Sequence, residues 1–73
     1  MTYNGHKNWN HWNVSLWIAN DEGLYRLAKR CIRMGRNRTD AAKRFLECMD
    51  GIKATPDGAP YTVTSVMAAL RDL

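Results

Sequence analysis

The sequence predicts an all-α protein: one small domain, residues 1–73, built from three to four short helices. Three observations lead there. Apolar residues recur at helical spacing in several stretches, those stretches are bounded by residues that cap or end helices, and no apolar run exceeds a few residues. A chain of 73 residues has room for one core only, and its net stability is expected to be marginal. Hydrophobic residues make up 45% of it, including three Trp, three Tyr, one Phe and four Met, which suffices for a core and argues against general disorder.

Met1 to Asn8 contains Gly5 and shows no periodicity, so it reads as an irregular lead-in. A first helix is expected from Trp9 to Ala19. Trp9, Trp12, Asn13 and Leu16 share one face, Val14 and Ile18 point nearly opposite, and Trp17 lies on the flank between them. A helix apolar on two sides is either central to its domain or offers its second side to another chain, as in a homodimer. Asn20, Asp21 and Glu22 supply a cap and first-turn acids for a second helix. Leu24, Leu27, Ala28, Cys31 and Met34 lie on its inner face, Arg26, Lys29, Arg30 and Arg33 on its outer face, and Gly35 is placed to end it as a left-handed cap.

Thr39 or Asp40 can cap a third helix reaching Asp50, with Ala41, Ala42, Phe45, Leu46 and Met49 inward and Gly51 as terminator. Residues 52–61 read as a loop, because Thr55-Pro56-Asp57-Gly58 suits a tight turn; a short hairpin there is compatible with the pattern. Thr62 can cap a fourth helix, with Val63, Val66, Met67, Leu70 and Leu73 on one face and Ser65, Ala68, Ala69 and Asp72 on the other. The expected core is Trp9, Trp12, Leu16, Leu24, Leu27, Ala28, Cys31, Phe45, Leu46, Met49, Val66 and Leu70.

Charge is unevenly distributed. The net charge is +4, and between Arg26 and Arg44 eight basic residues face a single acid, Asp40. Arg26, Lys29, Arg30 and Arg33 stack along one side of the second helix, and Arg36 and Arg38 carry the charge into the following turn. Such a stripe is either a solvated face or a contact surface for phosphate or carboxylate, which the planar arginine fork can pair at two points. The aromatic and amide-rich start, Tyr3 to Trp17, either closes the core or exposes rings that stack on bases or fill protein pockets. Trp17 is the candidate aromatic anchor of that group.

Other chemistry is sparse. His6, His11, Cys31 and Cys48 have no short spacing that matches a zinc motif, so no metal or other cofactor is expected. No Ser or Cys sits in a nucleophile setting and no glycine-rich phosphate loop is present, so an enzyme is not expected. The first twenty residues lack the basic start and apolar run of a signal peptide, and no run is long enough to span a membrane. A cytoplasmic protein with reduced thiols is the resulting expectation.

Tyr3-Asn4-Gly5, then Asn8-Trp9-Asn10-His11-Trp12-Asn13-Val14-Ser15-Leu16-Trp17-Ile18, then Asn20-Asp21-Glu22-Gly23-Leu24-Tyr25 resembles the start of a family of small proteins of bacteriophages and mobile elements. Thr55-Pro56-Asp57-Gly58-Ala59-Pro60-Tyr61-Thr62-Val63, with Val66 and Leu70, resembles the end of its members. That family carries no assigned active site, so the resemblance transfers no functional residues. It implies an inhibitor or modifier of a host component, such as a CRISPR defence complex, acting in the host cytoplasm. The acidic surface of such a complex would meet Arg26, Lys29, Arg30, Arg33, Arg36 and Arg38. More loosely, Gly51-Ile52, Thr55-Pro56, Gly58, Tyr61, Val66 and Leu70 are similar to the DNA-binding part of large serine recombinases. This implies the alternative: a nucleic-acid-binding accessory or regulatory protein with a helix-turn-helix-like C-terminal half. The putting-forward of Thr64, Ser65, Ala68 and Arg71 by its last helix offers few long polar side chains for reading base edges.

Overall fold

A computed structural model describes residues 8–73, and the lead-in before Asn8 falls outside them. Four helices follow in order: α1 (Trp9–Asn20), α2 (Glu22–Met34), α3 (Arg38–Cys48) and α4 (Val63–Arg71). Each starts at a side chain that satisfies an otherwise orphaned backbone N–H. Asn8 accepts from the His11 N–H at 3.0 Å, Asp21 from Leu24 at 3.0 Å and Asn37 from Asp40 at 2.8 Å. Thr62 and Ser65 form a reciprocal capping box on α4. The cap of α3 is therefore Asn37, ahead of the expected Thr39 or Asp40: the amide reaches the open turn first, and Asp40 instead accepts the Arg36 N–H at 3.0 Å.

Gly35 follows α2 as expected, but its φ is −76°, so it is not a left-handed cap. Its small size matters for another reason. A Cβ at this position would lie 2.9 Å from the Ala41 backbone nitrogen, so glycine lets the α2–α3 turn fold flat against α3. Gly35→Ala is therefore expected to destabilise the protein by about 1–3 kcal/mol through overpacking, read as a lowered urea midpoint at unchanged slope. An unchanged midpoint would show that the turn can shift freely. Left-handed glycines occur at Gly51 (φ 86°), just beyond α3, and at Gly58 (φ 96°), inside the connecting loop.

That loop is a small hairpin-like turn. The Thr55 N–H donates to the Ala59 carbonyl at 2.8 Å, the Tyr61 N–H to Lys53 at 2.9 Å, and Ala54 pairs antiparallel with Pro60.

The helices form a ring: α4 packs against α1 and α3, and α2 packs against the same two helices. The core comprises Val14, Ile18, Ala28, Cys31, Ala41, Ala42, Phe45, Met49, Ala59, Val66, Ala69 and Leu70. Leu24, Leu27 and Leu46 pack against it half-buried. Two sequence expectations are corrected. On α1 the inner face is Asn13, Val14 and Ile18, whereas Trp9 and Leu16 are exposed and Trp12 is half-buried. On α4, Ser65 and Ala69 are buried with Val66 and Leu70. Both corrections share a cause. Four core positions on the helices, Ala28, Ala41, Ala42 and Ala69, are alanine, which favours close packing with Val and Ile rather than indole rings in the slot between them. Among the described residues no helix is long and apolar enough to cross a membrane.

Candidate binding surface

The basic stripe begins on α2. Arg26, Arg30 and Arg33 are exposed, and Lys29 is half-buried with its ammonium 5.6 Å from the centre of the Tyr25 ring, within cation–π reach. Arg26 forms an i,i+4 ion pair with Glu22, and Arg44 pairs with Asp40 at 2.9 Å. The Arg44 contact, aided by the Arg36 N–H, holds the Asp40 carboxyl below its usual range. Among the described residues no ion pair engages the side chains of Arg30, Arg33, Arg36 or Arg38, so these four guanidiniums remain available to a partner.

The stripe ends in a cavity. Arg36 from the α2–α3 turn and Arg38 at the start of α3 line a hollow of about 380 Å³ together with Arg71 at the end of α4. Ile32, Leu70 and Leu73 form its apolar wall. Three guanidiniums on an apolar wall suit an anionic group carried next to a hydrophobic one. The sequence placed Arg71 on the last helix and not with the stripe, because it lies far along the chain from the other arginines and only the docking of α4 beside the α2–α3 turn brings it there. Apolar groups are interleaved with the charge. Of the large hydrophobic side chains left exposed, Tyr25, Ile32 and Met34 all lie on α2; Met34, expected on the inner face, is instead 61% exposed because it falls in the last turn, beyond the packed part of that face.

Trp17 stands apart from this surface. It is half-buried, and its indole Nε1–H donates to Asp57 Oδ2 at 2.9 Å. The same oxygen accepts from Asn13 Nδ2 at 2.9 Å, and Asn13 Oδ1 accepts from the Thr55 hydroxyl at 2.6 Å. Thr55 Oγ1 in turn accepts the Ala59 N–H at 3.1 Å. This network staples the 52–61 loop to α1, and its two donors, Asn13 more than Trp17, hold the Asp57 carboxyl below its usual range. Asn13 and Trp17 are one helical turn apart, which is the only trace of the arrangement in the sequence.

The thiols are divided. Cys31 is buried and Cys48 exposed, both are free, and they line a shared hollow with Arg30 and Arg44. Burial pushes the Cys31 thiol up, the neighbouring Cys48 adds to this, and the two arginines oppose it. Among the described residues no three His, Cys, Asp or Glu side chains are grouped to hold a metal ion, and His6 lies outside them.

These features define a small all-α protein with one strongly basic, partly apolar side. The chain belongs to a family of unknown function, DUF7249, which matches residues 1–72. No curated protein and no solved structure matches it.

Proposed function

We propose that this protein is a non-catalytic binding module of bacteriophage type that inhibits or modifies a host component by docking its basic face on an acidic protein surface. The observation that supports a protein target is the interleaving of Tyr25, Ile32 and Met34 with Arg30 and Arg33, continued by the apolar wall beside Arg36, Arg38 and Arg71. A phosphate backbone needs only charge, whereas protein interfaces combine arginine with large apolar groups that exclude water around it.

Charge reversal tests this. The Arg30→Glu, Arg33→Glu, Arg36→Glu variant alters exposed side chains only, so it should melt like the parent protein. Capture from bacterial lysate is expected to yield a defined acidic partner with the parent and none with the triple variant, a loss of at least about 100-fold in affinity for three interfacial arginines. Identical capture by both proteins would remove this face as the site.

The nucleic-acid reading is the alternative outcome. It predicts anisotropy of labelled DNA or RNA that persists at physiological salt and falls steeply above it. Against a helix-turn-helix arrangement stands the connection of α3 to α4, which runs through residues 49–62 and not a three- or four-residue turn.

A further inference from the structure

At the opposite end of α2 lies a second cleft, of about 430 Å³, where the end of α1, the start of α2 and the 52–61 loop meet. Its chemistry is the reverse of the arginine hollow. Two rings, Trp17 and Tyr61, line it with Leu24, Ile52 and Pro56, and one carboxylate, Asp21, sits among them. Ile52 is 55% exposed although it shares this apolar wall, so the cleft is open and not filled by the described residues.

Three observations set the sign of the occupant. Asp21 uses Oδ1 to cap the Leu24 N–H, and its second oxygen makes no hydrogen bond among the described residues. Asp57 accepts from the Trp17 indole N–H, which increases electron density on that ring and strengthens its attraction for a cation. Glu22, next to Asp21 in the first turn of α2, is paired with Arg26, so the unpaired negative charge at this end of the cleft is that of Asp21. Burial and the charge of Asp21 together push the Tyr61 hydroxyl up, so it stays protonated and can serve as a donor or acceptor. Aromatic faces beside a free carboxylate oxygen attract a cation, and the surrounding Leu, Ile and Pro groups accept apolar neighbours.

We propose that the cleft formed by Trp17, Tyr61, Ile52 and Asp21 is a binding site for a basic side chain, Arg or Lys, carried on an apolar segment of a partner polypeptide. It is a second site, separate from the basic face and opposite in preference. The cation lies against the rings with its charge toward Asp21, and the flanking apolar residues cover Ile52 and Pro56.

The test is a titration of the ¹⁵N-labelled protein with acetyl-Leu-Arg-Leu-amide, with acetyl-Leu-Gln-Leu-amide and acetyl-Leu-Glu-Leu-amide as comparisons. The Arg peptide is expected to give saturable shifts at the Trp17 indole N–H and the Gly23 and Ile52 amides, and the Glu peptide none. Asp21→Asn retains a good helix cap while removing the charge, so the fold should persist. In that variant affinity for the Arg peptide is expected to drop about three- to tenfold, with the Gln peptide unaffected. Equal binding of the Arg and Gln peptides, an Asp21→Asn variant that binds as the parent does, or no shift at these three groups would each overturn the proposal. None of these results depends on the basic face, which lies on other residues.

Discussion

Phe45→Ala is expected to unfold the protein. Among the described residues Phe45 is the largest fully buried side chain, and its ring lies 6.3 Å from that of Tyr61 at an angle of 51°, tying α3 to the end of the 52–61 loop. Truncating a buried Phe to Ala costs about 3–5 kcal/mol. A single core in a chain of this length supplies about that much net stability, so one substitution consumes nearly all of it. Circular dichroism of the variant should show no cooperative thermal transition, whereas Phe45→Leu, which retains most of the volume, should lose only about 1.5 kcal/mol and melt cooperatively. A sharp melt of Phe45→Ala near the parent midpoint would mean that the core does not depend on α3 as described.

Asn13→Ala is the second large effect. Asn13 is buried, donates to Asp57 and accepts from Thr55, so its loss removes two long-range hydrogen bonds and leaves the buried Thr55 hydroxyl without its acceptor. The expected cost is about 2–3 kcal/mol, seen in urea denaturation, with faster amide exchange at Ala59 and Tyr61 as the loop loosens from α1. Undiminished protection of both amides would show that the turn holds itself without α1. The acid limb should change as well. Asp57 has a folded pKa below its unfolded one, so the stability it adds is complete above the ordinary carboxylate range and is lost as pH falls through the folded value. Without Asn13 that dependence should become shallower.

The parts of the fold that were legible in the sequence are those where one local signal dominates. α2 carries apolar residues on one face and basic residues on the other, so its orientation followed from spacing, with Met34 in its last turn the exception. Thr62 before α4 and Gly51 after α3 were readable because caps and left-handed positions admit few residue types. α1 was not readable in this way. Its two apolar faces made periodicity ambiguous, and the bulk of Trp9 and Trp12 suggested a core that the close approach of alanine-rich helices does not leave room for. The arginine stripe was visible as a run of like charge, yet its end was not, since Arg71 reaches it only by tertiary packing. The aromatic cleft joins residues 17, 21, 52 and 61, and no pattern in a linear chain signals that meeting.

α2 also shapes how the molecule behaves at a distance. Asp21 and Glu22 stand at its first turn and Arg33 in its last, with Arg36 and Arg38 just beyond, so charge changes sign along its 13 residues, about 20 Å. This order opposes and offsets the helix's own macrodipole, which favours the helix. It also means that a net charge of +4 understates the anisotropy of the protein. In the field of a charged surface the molecule experiences torque as well as attraction, so it arrives already turned, arginine end toward negative potential. Ionic strength therefore controls the angle of encounter along with its frequency, and the two decline together once the Debye length falls well below the length of that one helix.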